Sequence, residues 1–246
     1  MRKQIIQKIA FAFLFYTLAI TASEADKAQV FTSYFANTVT KDPERRGFAY
    51  ELVSAIFETA GLEADIDPLP WARAQHMAKT TPQALIFPLS WTPTRAPHYE
   101  WQLQLFQNHT HFITYNHPKM SAELAHKRSI GVQMKSSWDN WLTEQGYENV
   151  YRVRGDGEEL IRLLRADRID AWFVDQIIGD GVIGRLNDPN FTYSDPVQTF
   201  KTYLGTNKAA PYPHMDKLIA ALDELRENGR YDAIFSKYGI RSNSKR

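Results

Sequence analysis

ALIFPLSWTPTRAPHYEW, residues 84–101, is the stretch on which the reading of this chain turns. Its apolar start, residues 84–87, has the length and composition of a buried strand. The strand is expected to end at Pro88, where a polar loop carrying Ser90, Thr92 and Thr94 leads to a single arginine, Arg95. In open α/β sheets, ligands sit outside the carboxyl ends of strands, often where the strand order reverses. Arginine suits a carboxylate there because its planar fork donates two parallel hydrogen bonds. Taken alone, the stretch fits a solvated loop arginine in a surface salt bridge better. The rest of the chain reverses that balance.

Working back toward the start, a helix is expected over residues 48–60. Phe48, Leu52, Val53, Ile56, Phe57 and Ala60 fall at helical spacing, and Gly61 closes it. Strands are expected at 29–32 and 62–67, with Ser33, Tyr34 and Phe35 at the end of the first. Residues 72–80 read as a helix, and Trp71 stands between the proline loop and that helix. The resulting β-α-β-α-β order implies a parallel sheet flanked by helices.

Working forward, residues 109–116 read as a strand that breaks at His117-Pro118. A second α/β unit then begins with SIGVQ (129–133). Its strand runs into Lys135, Ser136, Ser137 and Trp138, and the two serines are natural N-cap residues. A helix N-terminus also presents free amides to a ligand. IDAWFV (169–174) is a buried-type strand ending at Asp175, with a helix expected over 176–183. An apolar strand returns from Tyr203, and a last helix carries Met215, Leu218, Ile219, Leu222 and Leu225 on one face.

Residues 1–25 read as a targeting segment. Arg2, Lys3 and Lys8 precede about a dozen apolar residues, and Ser23-Glu24-Ala25 fits a small-x-small cleavage pattern. Cleavage is expected after Ala25, with Ala22 the next choice. Removing Arg2, Lys3, Lys8 and Glu24 with the leader takes the formal charge from +1 to −1. A near-neutral chain lacks the electrostatic footprint of a nucleic-acid binder. There is no cysteine, so disulfides, thiolate metal sites and a lipid-modified cysteine are excluded. No later stretch is apolar for long enough to cross a bilayer, and the mature protein is expected to be soluble in the periplasm.

Four separated stretches together resemble one family, the bacterial extracellular solute-binding proteins of family 3. These are the periplasmic polar amino-acid-binding components of ABC transporters. The stretches are GFAYELVSAIF (47–57), SWTPTRAPHYEW (90–101), SIGVQMKSSWDNWL (129–142) with LLRADRIDAWFVD (163–175), and LDELRENGRYDAIFSKYGI (222–240). Their order and spacing agree across residues 26–241. The resemblance implies a two-lobed α/β periplasmic binding protein of type II, two Rossmann-like lobes joined by a two-stranded hinge. Lobe 1 would comprise 26–116 and 201–246, and lobe 2 would comprise 117–200. The crossovers would fall near residues 115–118 and 199–203.

Family roles then map by position. The carboxylate-gripping arginine matches Arg95, with a supporting hydroxyl at Ser90. The lobe 2 carboxylate loop matches Lys135, Ser136 and Ser137, the ammonium-binding acid matches Asp175, and the aromatic walls match Trp71 and Tyr34 or Phe35. The resemblance implies no cofactor, a monomer, and a membrane permease or a sensor domain as partner. One departure is Phe87-Pro88 before the hydroxyl site, where the family often has a small polar residue. Proline offers no N–H, so the ligand could be a non-standard amino acid or another small carboxylate.

Two rival chemistries compete. A few relatives are hydro-lyases, and Glu100 could act as an acid or base, but no hydrolase elbow, phosphate loop or metalloprotease helix occurs. His98, His109, His111 and His117 could hold a metal, with His109 and His111 on one strand face. No carboxylate pair or cysteine accompanies them, and surface histidines are the plainer reading.

Overall fold

A computed structural model describes residues 27–154 and 157–240. The leader expected at 1–25 lies outside the described residues. At the start of the chain, strands β1 (Ala28–Thr32), β2 (Ala64–Pro68) and β3 (Leu85–Ser90) alternate with helices α1 (Phe48–Thr59) and α2 (Trp71–Thr80). β1 pairs in parallel with both β2 and β3, the arrangement that β-α-β connections demand. The apolar positions of α1 form its buried face, and Gly61 follows in the left-handed region at φ 66°.

No side chain caps the start of α1. The turn after β1 does so instead: Phe48 N–H donates to Asn37 O at 2.8 Å and Ala49 N–H to Thr38 O at 3.1 Å. Gly47, at φ 99°, lets the two segments meet, because a Cβ there would lie 2.5 Å from the Thr38 carbonyl. That contact also fixes the turn carrying Phe35 and Thr38.

Two expectations about strands need correction. β3 does not stop at Pro88 but runs on to Ser90, antiparallel to β9 (Gln198–Asn207). The register shifts between Ile86 and Leu89, so the ladder asks no hydrogen bond of the proline nitrogen. The strand read as 109–116 is the end of a far longer one, β4 (Tyr99–Tyr115). Glutamines at 102, 104 and 107 between apolar residues hide the first part of it from a search for apolar runs.

The remaining elements are α3 (Ala122–Ala125), β5 (Ile130–Gln133), α4 (Ser137–Glu144), β6 (Val150–Val153), α5 (Gly157–Arg165), β7 (Ala171–Asp175), α6 (Gln176–Ile183), β8 (Phe191–Tyr193), α7 (Met215–Glu227) and α8 (Arg230–Lys237). β5 pairs in parallel with β6 and β7, giving a second parallel unit. Among the described residues the strand order is β2-β1-β3-β9-β4-β7-β5-β6, with β8 on β4. The central pair, β9 and β4, therefore joins the two units. β4 leaves the first unit earlier than the expected 115–118, because Thr110–Ile113 already pair with β7. The strand crosses without a break, so no loop marks the passage. On β9, Thr199 and Lys201 stand opposite His109 and Gln107.

After β9 the chain packs back on the first unit. Phe48 sits against Phe106 at 4.9 Å and against Phe235 of α8 at 5.0 Å between ring centroids. Burying a ring of this size contributes about 1.5–3 kcal/mol. Tyr231 donates its hydroxyl to Leu105 O at 2.8 Å, tying α8 to β4.

Candidate functional site

The carboxyl ends of the parallel strands carry the polar residues, and these converge on one cleft of about 430 Å³. Ser90 ends β3 and Arg95 follows it, Trp71 follows β2, and Phe35 and Thr38 follow β1. From the second unit come Gln133, Ser136 and Ser137 after β5 and Asp175 at the end of β7. Asn108 and Thr202 reach in from the two central strands.

Arg95 is 5% exposed. One of its Nη atoms donates to Ser90 O and the other to Lys135 O, each at 3.0 Å. Its guanidinium also lies 5.6 Å from the centre of the Trp71 ring, and Phe35 meets that ring edge-on at 5.4 Å. Burial pushes the guanidinium pKa down to about 10. Among the described residues no carboxylate forms an ion pair with it. The contacts orient the cation without neutralising it, which leaves it suited to an incoming anion.

Asp175 is the opposite case, also 5% exposed. It caps α6, accepting the Ile178 N–H at 2.9 Å. Burial pushes its pKa up to about 7, against the downward pull of the Ile178 and Ile177 N–H groups; the Asp180 charge adds to the rise. Among the described residues no cation pairs with it. One cleft thus holds a buried unpaired cation from the first unit and a buried unpaired acid from the second.

Ser136 caps α4, its Oγ accepting the Asp139 N–H at 3.0 Å, and Ser137 opens the helix. Both are buried and line the cleft. Ser90, Arg95, Trp71, Ser136, Ser137 and Asp175 are therefore brought together.

Lys135 is not brought in as expected: its side chain is exposed and does not line the cleft. Its backbone adopts φ 60°, and the carbonyl, not the ammonium, faces Arg95. Tyr34 is also misplaced. It is 41% exposed beneath Lys41, and Phe35, one residue on, lines the cleft in its stead. Both residues lie beyond the end of β1, in the turn where Phe35 bridges Val39, so the turn and not strand alternation decides which aromatic enters the cleft.

Several lining residues were not read as part of the site: Thr38, Phe106, Asn108, Gln133, Ile178 and Thr202, whereas Trp138 follows the serine pair already read. Gln133 ends the SIGVQ strand and Ile178 sits on the helix after Asp175, Thr38 lies in the turn after β1, and Phe106, Asn108 and Thr202 depend on the long-range pairing of β4 with β9. Pro88 lines the cleft as well, so the departure from the family pattern bears directly on the site. Glu100 does not line it but stands on β4 opposite Thr206. His109 and His111 bond to Thr199 Oγ1 and Ser194 O, at 2.9 and 2.8 Å. Among the described residues no His, Asp and Glu cluster could hold a metal.

Comparison with known proteins gives the same architecture a family. The pattern of the bacterial extracellular solute-binding proteins, family 3, matches residues 32–241, and the chain belongs to that family. No curated protein sequence matches it. Among solved structures, a histidine kinase sensor domain with similarity to periplasmic binding proteins superposes with a TM-score of 0.79 at 18% identity. That match covers 88% of this chain and 97% of the other. The arginine-, lysine-, histidine-binding protein ArtJ from Geobacillus stearothermophilus gives 0.78 at 16% identity, with 88% and 97% covered. The GluR0 ligand-binding core from Nostoc punctiforme, in complex with (L)-glutamate, gives 0.76 at 18%, with 86% and 98% covered. The fold is that of the type II periplasmic binding proteins. Among the described residues no helix is long and apolar enough to cross a membrane.

Proposed function

We propose that this protein is an exported receptor, not an enzyme. It captures a small zwitterion, with a polar amino acid the chemistry that fits best, and hands the closed complex to a membrane partner. One observation carries the reading: Arg95 and Asp175 are buried, opposite in charge, unpaired among the described residues, and line the same cleft from different units. A zwitterion satisfies both at once. Arg95 takes the carboxylate with help from Ser90, Ser136 and Ser137, Asp175 takes the ammonium, and Trp71 and Phe35 wall the cleft. Binding both units together favours the closed arrangement by differential affinity.

The leader at residues 1–25 supports export to the periplasm. The partner is the permease of an ABC transporter, a reading supported by the similarity to ABC-transporter substrate-binding proteins of Streptococcus pneumoniae. A sensor readout is the second reading, favoured by the similarity to a histidine kinase sensor domain.

The test is a thermal-shift screen of residues 26–246, unfolded and refolded to strip carried ligand, against the twenty L-amino acids, polyamines and small dicarboxylates. A ligand bound only by the folded state stabilises it by about 2.7 kcal/mol at a hundredfold excess over Kd. For a stabilising amino acid, Arg95→Ala is expected to cost roughly 2–5 kcal/mol of binding in calorimetry. An unchanged Kd in that variant would end the assignment of Arg95.

A further inference from the structure

Lys135 holds a backbone conformation, φ 60°, that glycine adopts freely and residues with a side chain adopt only when held. What holds it lies outside the cleft. The Lys135 N–H donates to Asp139 Oδ2 at 2.8 Å, and Asp139 Oδ1 accepts from Arg152 Nε at 2.6 Å. Arg152 also donates through Nη2 to Thr143 Oγ1 at 3.0 Å, and that hydroxyl donates to Asp139 O at 2.9 Å. Asp139 is buried, yet its side chain is not among those lining the cleft. The effect appears at the other end of the residue. The Lys135 carbonyl accepts from Arg95 Nη2 at 3.0 Å, and the Ser136 N–H of the same peptide plane donates to Gln133 O at 3.2 Å. If Lys135 relaxed to the right-handed region, this plane would turn, and Arg95 would lose the acceptor that orients it from the opposite unit.

We propose that Asp139 is a positioning residue for ligand capture. Through its bond to the Lys135 N–H it keeps Lys135 left-handed, so that the Lys135 carbonyl fixes Arg95 across the cleft. The inference rests on the reading of Arg95 as the carboxylate-gripping residue and adds a residue that never touches the ligand.

The test uses calorimetry with whichever L-amino acid stabilises the wild-type protein most in a screen of all twenty. Asp139→Ala is expected to weaken binding about 10- to 100-fold, the size of loss seen when a group that orients a metal ligand is removed. Lys135→Gly placed in the same chain is expected to restore most of the loss, because glycine needs no anchor at that φ. If Asp139 served only to cap α4 and pair Arg152, the double variant would bind as weakly as Asp139→Ala, and the proposal would be overturned.

Lys135→Pro and Lys135→Ala decide the matter if Asp139→Ala does not fold. Proline forces a negative φ and removes the N–H, so it should reproduce the loss at an exposed position, whereas alanine keeps the N–H and should bind nearly as the wild type does. Wild-type affinity in Lys135→Pro would overturn the proposal. So would loss of binding in Arg95→Ala with none in a folded Asp139→Ala, and that result leaves the capture reading standing. A wild-type protein that binds no zwitterion overturns the capture reading, and this inference falls with it.

Discussion

Asp175 keeps a carboxyl group where water cannot solvate its charge. Its pKa, raised from an ordinary value of 3.8 to about 7, means that the folded state holds a proton over a range where the unfolded chain has released it. The unfolded state then binds fewer protons, so stability falls as pH rises. The contribution is fully present below about 3.8 and is lost as pH rises through about 7. Asp175→Asn cannot titrate, so its melting temperature is expected to gain on the wild type across that window, as melts at closely spaced pH values would reveal. Binding has the reverse dependence. A ligand ammonium favours the ionised acid, so amino-acid affinity should rise as pH rises through about 7, with a proton released on binding in the acidic part of that range. Calorimetry in buffers of different ionisation enthalpy measures that proton. In Asp175→Asn the pH dependence should vanish, and amino acids should lose more affinity than simple carboxylic acids. Equal losses for both would remove the residue's assigned role. Asp175 was legible in the sequence because it ends an apolar run with an acid, and Ser136 because serine is a natural cap at a helix start, whereas Arg95, reached through a polar loop, was read through the family motif around it. Lys135 misled because a lysine gives no sign of the left-handed φ it adopts here, and Tyr34 because the turn after β1, not a strand, sets which aromatic enters the cleft.

Among the elements, α1 shows how a segment without ligand contacts of its own shapes the cleft. Its first turn is capped by carbonyls of the 35–39 turn, and that turn presents Phe35 and Thr38. Gly47 makes the approach possible. In Gly47→Ala the new methyl would overlap the Thr38 carbonyl at a φ that alanine already disfavours. The expected cost is about 3 kcal/mol or more, strain and overpacking together. Gly61→Ala is the matched comparison: also left-handed, but with nothing within 4 Å of the added methyl, it should cost about 1–2 kcal/mol. Urea melts of both variants check the difference, and equal losses would mean that the close approach at Gly47 contributes nothing. Helices such as α1 were legible because burial repeats with their period. The first ten residues of β4 were not, because neither face of a strand shared by two units is uniformly apolar. Polar residues such as Gln102, Gln104, Gln107 and Asn108 interrupt its apolar positions, so composition alone reads them as loop. Asn108 and Thr202 stayed hidden for the same reason.

For the whole molecule, the central question is what two strands can do that a loop cannot. β4 and β9 run through both units, pair with each other from Tyr99–Asn207 to Thr110–Gln198, and shift register on the way. A paired ribbon with such irregularities can bend while keeping the two units in line, which is the mechanical requirement of a hinge. Across the cleft the units touch through polar contacts that opening would break: Arg95 to Lys135 O, and Asn140 Nδ2 to Thr94 Oγ1 at 3.2 Å. Each is a single hydrogen bond, worth about 0.5–1.5 kcal/mol for the neutral Asn140–Thr94 pair and about 1.5–3 kcal/mol for the charged Arg95 guanidinium, so neither alone commits the cleft to closure. A zwitterion held by Arg95 on one side and Asp175 on the other adds far more to the closed arrangement than to an open one, and only that difference moves the equilibrium. We therefore expect small-angle scattering to show a smaller radius of gyration when a stabilising amino acid is added to the wild type. Arg95→Ala should show no such change even at ligand concentrations that saturate the remaining contacts, because it removes both the carboxylate grip and a cross-cleft bond. If Arg95→Ala compacted normally once saturated, closure would be driven from the Asp175 side alone, and the arginine would serve affinity without serving the hinge.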